Sequence, residues 1–302
     1  MTITTTTATA ATPTALTHLP MALFAAPMGI GGLGLAWLAA HPALGAPVVI
    51  GEALLVLAGL VWVLLALLHV ARAAADPASV AGDLAHPIRA AFTGAIGIGL
   101  MIMAGGVAPY HVEAARAMWL VAVFVQTLAG MWIVRVMFKA PRDSTALTPP
   151  LLIPLVGSIV APVFGVGLGY PELSWMLCGV GGMLWLTLQP MLFNRLANGP
   201  ALPLKLRPSL AILLAPPAVG SLALWQLTGA FGPLPMALLG YAVVVALVLA
   251  SLYREFAAAP FSMAWWAVTF PAAAFVTALF GYFRSAPATW SSLLMWPLLA
   301  VV

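Results

Sequence analysis

The chain has 302 residues, 64% of them hydrophobic and only 6% charged, with a mean hydropathy of +1.11 and a formal net charge of +4. Too few polar residues remain to cover a water-soluble domain, so the sequence reads as a polytopic membrane protein. The basic residues are spread over the loops and form no patch suited to nucleic acid, and a single cysteine, Cys178, excludes an internal disulfide or a multi-cysteine metal cluster.

Residues 1–17 are rich in Thr and Ala and hold no Lys or Arg. They lack the basic start of a signal peptide and read as a disordered tail, followed by one transmembrane domain over 18–302. A bilayer-spanning helix needs about 20 apolar residues. On that ruler ten segments follow, at 19–40, 48–71, 87–108, 113–137, 149–170, 172–194, 207–229, 233–253, 261–283 and 287–302. The last runs to Val302 with no polar flank, as a short helix or a truncated chain would.

Basic residues set orientation. The connections after even segments hold Arg72, Arg89, Arg135, Lys139, Arg142, Arg195, Lys205, Arg207 and Arg254, whereas those after odd segments hold only Arg116 and Arg284. This bias places both termini in the cytoplasm and the chain in the cell's inner (plasma) membrane.

Taken in order, the odd segments share a helix-weakening residue near the middle. It is Pro27 in segment 1, Gly97 with Gly94 and Gly99 in segment 3, Pro162 in segment 5, Pro216 and Pro217 in segment 7 and Pro271 in segment 9. Even segments largely lack one, Pro297 in segment 10 excepted. The recurrence, about one helical hairpin each time, predicts an all-α fold of five hairpins in a pseudo-five-fold ring around a central pore, with the kinked odd helices inside. Each kink frees backbone groups, and amides at the start of the half-helix beyond it would favour an anion without any formal charge.

Segment 9 carries the bulkiest feature. Followed at helical spacing, its face reads Trp266, Phe270, Ala273 or Ala274, Thr277 and Gly281, a ring above a strip of small residues. The residue before the break is Ala26 in segment 1, Ile96 in segment 3, Ala161 in segment 5 and Ala215 or Pro216 in segment 7. Phe270 is therefore the side chain suited to occlude such a ring; the plainer reading is that it packs between helices.

Ten segments, the His86-Pro87-Ile88-Arg89 lead-in to segment 3 ahead of Phe92, and the run Trp265-Trp266-Ala267-Val268-Thr269-Phe270-Pro271 resemble the tellurite-resistance TehA and C4-dicarboxylate transporter family, which includes the plant slow anion channels. The resemblance covers nearly everything from Leu19 on. It implies a homotrimer with one pore per protomer, five inner odd helices within five outer even ones, and a pore plugged by the segment 9 phenylalanine, here Phe270. It also implies a second aromatic pore feature at the start of segment 3, matched by Phe92, and a pore wall including Ala26, Ala161, Ala274 and Thr277. Gly97 replaces the proline of segment 3, and the short tail carries no implication of kinase activation.

A proton-coupled carrier generally keeps ionisable groups within its spans, but no acid falls at a segment centre. The five histidines lie towards segment ends, which disfavours paired haem ligation, and His86 reads as a cap. The methionines read as packing, and Trp37, Trp132, Trp225 and Trp290 as an interfacial belt. No nucleophile with its base and no paired carboxylates suggest an enzyme, and neither a metal nor a cofactor is implied. The expectation is a gated channel for small inorganic anions such as chloride and nitrate, passive and set in the lipid bilayer. The alternatives are a secondary transporter of dicarboxylate, sulfite or tellurium oxyanions on the same fold, and a non-conducting scaffold.

Overall fold

A computed structural model describes residues 19–139, 143–286 and 291–301. The predicted tail at 1–17, His18, Arg142 and Trp290 lie outside the described residues. Those described fold into helices, eight of which are long and apolar enough to cross a membrane. They are segment 1 (Met21–Leu44), segment 2 (Val48–Ala75), segment 3 (Ile88–Val107), segment 4 (Val112–Lys139), segment 6 (Pro171–Asn198), segment 7 (Leu204–Thr228), segment 8 (Pro233–Ser251) and segment 9 (Met263–Ser285). Segment 5 is a shorter, interrupted run, Pro149–Gly165, and segment 10 is helical over Ser291–Val301. Segments 2, 4 and 6 run past their expected ends, which carries Arg72, Lys139 and Arg195 into the last helical turns.

Burial separates the two sets. Between 56% and 72% of the best window in segments 1, 3, 7 and 9 is buried within the chain, against 22% to 33% in segments 2, 4, 6 and 8. Odd segments are thus inner and even segments outer. Segment 1 packs against segments 9 and 3, segment 3 against 5, segment 5 against 7, and segment 7 against 9, closing a ring of five. Each outer segment lies in the crevice between its own inner partner and the next, segment 10 returning to segment 1. The outer faces display Leu60, Leu64, Leu67, Phe124, Met183 and Leu247 to the surroundings, an apolar surface that only lipid or another subunit covers cheaply.

Hairpin partners come close where side chains are absent. A Cβ on Gly34 would stand 2.9 Å from the carbonyl oxygen of Gly51, and one on Gly51 2.8 Å from that of Gly34. The backbones of segments 1 and 2 therefore touch, as small-residue packing permits in membranes.

The inner segments change helix type along their length. Segment 1 is 3-10 over Met21–Phe24 and α from Ala25, segment 7 is 3-10 over Leu204–Leu214 and α from Ala215, and segment 9 is 3-10 over Met263–Trp265 and α from Trp266. Segment 5 passes from α through a 3-10 turn, Gly157–Val160, to α at Ala161. Pro27, Pro162, Pro216 and Pro217 stand in the first turn of the α half, where a missing N–H costs little; Pro271 lies deeper inside its helix. Segment 6 remains one helix through Pro190.

Segment 3 corrects one expectation. Its break falls at Phe92–Thr93, between Pro87–Ala91 and Gly94–Val107. Gly97 is no kink: it lies in uninterrupted helix, and a Cβ there would meet Gln126 Cβ at 2.9 Å and the carbonyl of Ala122 at 3.0 Å. Its role is to admit segment 4.

Between segments 2 and 3 a further helix, Pro77–Ala85, starts on the carboxylate of Asp76, which accepts from the Ser79 amide. Its buried Asp83 bridges Arg72 at 2.7 Å and Arg89 at 3.0 Å. Arg72 Nη1 also donates to the carbonyl of Leu19, so one carboxylate ties together the starts of segments 1 and 3 and the end of segment 2. His86 caps the start of segment 3, its Nδ1 accepting from the amides of Ile88 and Arg89.

Candidate pore and its constriction

All inner segments run in the same direction, so residue numbers order positions along the axis. Two small spaces lie within the ring, each of about 40 Å³. The first is walled by Met28 of segment 1, Ile98 of segment 3, Val156, Gly157 and Val160 of segment 5, Ile212, Pro216 and Val219 of segment 7, and Ala267, Phe270 and Pro271 of segment 9. The second, one to two turns further on, is walled by Gly32 and Leu35, Ile102, Val160 and Phe164, Val219 and Leu222, and Phe270, Ala274 and Thr277 of the same five segments. Phe270, Val160 and Val219 belong to both, and Phe270 is the bulkiest of the three.

The Phe270 side chain therefore borders both spaces, with 8% of its surface exposed. Its seat is Gly32, where a Cβ would lie 3.2 Å from Phe270 Cδ2 and 3.4 Å from Ala273 Cβ. A water needs about 10–15 Å³ of such volume, so each space has room for only a few waters and not for a hydrated ion.

The chemistry of the wall is apolar. Among the described residues no charged or titratable side chain lines either space, and the hydroxyl of Thr277 donates to its own helix at the carbonyl of Ala273, 2.8 Å away. The amides expected to stand free at the breaks are occupied. Ala25, Ala161, Ala215 and Trp266 N–H groups donate to carbonyls of the preceding 3-10 turn, and the turn at Phe92–Thr93 bonds to Arg89 and Ala90. The 3-10 approach thus consumes the donors that a clean helix start would offer.

Side chains of outer helices donate to backbone carbonyls of segments 3 and 5. Trp62 Nε1 of segment 2 donates to Ile96 O at 3.1 Å, and Trp119 Nε1 of segment 4 to Ala161 O at 3.1 Å. Gln126 Nε2 of segment 4 serves both Ile153 O and Pro154 O, at 3.0 and 3.1 Å. A lipid-exposed carbonyl would have no such partner.

Of the residues singled out from sequence, Phe270, Pro216, Pro271, Ala274 and Thr277 line one or both spaces. Ala26, Pro27, Ala161, Pro162 and Pro217 are buried beside the breaks without lining either. Gly97 faces segment 4. Phe92 is buried, at 4% exposure, at the break of segment 3 and lines neither space. The sequence reading passed over Met28, Ile98, Val160 and Val219. Their signal is spacing: 28, 32 and 35 in segment 1, or 212, 216 and 219 in segment 7, carry one face past the proline.

A family model described as "SLAC1: Voltage-dependent anion channel" matches residues 18–302. Among curated proteins, the chain is 29% identical over 192 residues to "S-type anion channel SLAH3" of Arabidopsis thaliana, covering 62% of this chain and 30% of that protein. It is 26% identical over 214 residues to "Guard cell S-type anion channel SLAC1" of the same plant, covering 67% and 37%. It is 23% identical over 200 residues to "Tellurite resistance protein TehA homolog" of Haemophilus influenzae, covering 66% and 61%. The match spans less than two thirds of each of these relatives.

Proposed function

This chain belongs to the SLAC1 voltage-dependent anion channel family, and from that premise we propose that it is a gated, passive channel for small monovalent anions, chloride and nitrate among them. The path runs along the axis of the inner ring and Phe270 closes it. The observation that carries this reading is that one aromatic side chain is shared by two apolar spaces walled by all five inner segments. Conduction in each protomer of a homotrimer, in the inner (plasma) membrane with both termini cytoplasmic, completes the proposal.

The occupied amides move the source of anion preference. The inner helices are parallel, so their macrodipoles add at the end where Arg89, Lys205 and Arg207 lie, and both act on an arriving anion there. The narrow interior then adds no deep well, which suits ions that must leave again. Phe92 sits on that side of the first space and belongs to the approach rather than to the block.

The test is current through planar bilayers holding the purified chain, native and Phe270→Ala, in chloride, nitrate and malate. An anion-selective, weakly saturating current that rises in the variant supports the channel. Saturable malate uptake without current in either protein supports instead the secondary transporter of dicarboxylates or oxyanions.

A further inference from the structure

Two wide grooves open on the outside of the ring, each between neighbouring outer helices. One, of about 840 Å³, lies between segments 2 and 4 over segment 3 and has Glu52 and Tyr110 in its wall, at the end where segment 2 begins; the Tyr110 hydroxyl donates to the Glu52 carboxylate. The other, of about 600 Å³, lies between segments 4 and 6 over the interrupted segment 5. Its wall holds Arg135 and Lys139, in the last turns of segment 4, and, among the described residues, no carboxylate.

We propose that the second groove binds one anionic phospholipid, with its phosphate on Arg135 and Lys139 and an acyl chain laid along Met131, Val180 and Leu184. Charge chooses this occupant. Both cations are exposed, and among the described residues neither pairs with an acid. They stand at the end of the helix where segments 2, 4, 6 and 8 gather their basic residues, which is the level of a lipid headgroup. Trp132 lies beneath the Arg135 guanidinium, 5.7 Å from ring centroid to Cζ, and holds it at that level. Below, Met131 and Val180 are 62% and 53% exposed apolar walls, which an acyl chain would cover.

A second feature marks the floor. Ser158 of segment 5 lines the groove, is 7% exposed, and its hydroxyl has no hydrogen-bond partner. A water carried in with the lipid would satisfy it. Segment 5 is also the wall of the first axial space, through Val156, Gly157 and Val160, so groove and constriction lie back to back on one interrupted helix.

The experiment is native mass spectrometry of the full chain, delipidated and titrated with phosphatidylglycerol or phosphatidylcholine of matched acyl chains. Two basic residues near the surface predict about a 30-fold preference for the anionic lipid. Arg135→Gln with Lys139→Gln should bring the preference near parity, while Val180→Trp, which leaves the cations and fills the groove, should lower retention of both lipids. An unchanged preference in the double variant, or unchanged retention in Val180→Trp, overturns the assignment. Benzoylphenylalanine in place of Val180 gives the decisive contrast: a photo-adduct with the mass of a phospholipid supports the site, and an adduct between two protein chains overturns it in favour of a second copy in the groove.

Discussion

Truncating Phe270 examines the constriction directly. The ring is almost wholly buried and lies on the bare backbone at Gly32. A free rotamer change costs only about 1 kcal/mol, too little to hold a pore shut. Drawing a buried phenyl ring out of its contacts costs about 1.5–3 kcal/mol, which at about 1.4 kcal/mol per tenfold leaves the ring displaced in roughly one molecule in 10 to 150. If its departure limits conduction, Phe270→Ala raises chloride flux by about that factor, 10- to 150-fold, and Phe270→Leu falls between. Chloride efflux from liposomes at fixed protein-to-lipid ratio measures this. Because Phe→Ala in a packed site costs about 3–5 kcal/mol of stability, each variant is first shown to be helical and monodisperse at the assay temperature. A folded Phe270→Ala protein with flux within twofold of the parent would refute the block.

Three further outcomes follow from the same geometry. Gly32→Val in the Phe270→Ala background returns bulk to the opened passage from the opposite wall, and the raised flux should fall at least severalfold. Gln126→Leu removes the side-chain donor shared by the carbonyls of Pro154 and Ile153, the latter keeping the Gly157 amide; at about 0.5–1.5 kcal/mol for each hydrogen bond lost, the melting temperature in detergent drops, and an unchanged melt contradicts the role given to Gln126. Asp83→Asn strands the buried Arg72 and the neighbouring Arg89 and costs about 3–5 kcal/mol, seen as early proteolysis between segments 2 and 3.

The proline and glycine pattern made the ring legible because lipid is an unforgiving solvent for broken helices: residues that weaken a span are placed where protein surrounds it. That argument assigned inner and outer helices through composition alone. It could not place the break in segment 3, since Gly97 signals loss of a side chain and not loss of helix. Room for segment 4, not a kink, explains it. Nor could it see that a 3-10 approach uses up the amides, because helix type depends on packing around Leu204–Leu214 and Gly157–Val160 rather than on any one residue. Phe270 was legible because it is the large residue at a break whose neighbours are small. Val160 and Val219 were not, since a valine in a membrane helix carries no signal until five helices converge on it.

The outer helices tie the inner segments unequally. Trp62, Gln126 and Trp185 each stand fourteen residues after the first of their helix, at Val48, Val112 and Pro171. In two of the three cases the donor reaches inward to an inner-helix carbonyl, Ile96 in segment 3 and Ile153 with Pro154 in segment 5; Trp185 instead bonds Gln189 of its own helix. Trp119 adds a further tie to segment 5. Sliding segments 3 or 5 away from these donors would break the side-chain hydrogen bonds, at about 0.5–1.5 kcal/mol apiece. Segment 9 is held differently. Among the described residues no outer side chain donates to it, and its polar groups are spent internally, Thr269 on Trp266 O and Thr277 on Ala273 O. Among the described residues the helix that carries Phe270 thus takes no side-chain hydrogen bond from an outer helix, whereas segments 3 and 5 do, so the withdrawal of the ring that we propose would break none of these ties.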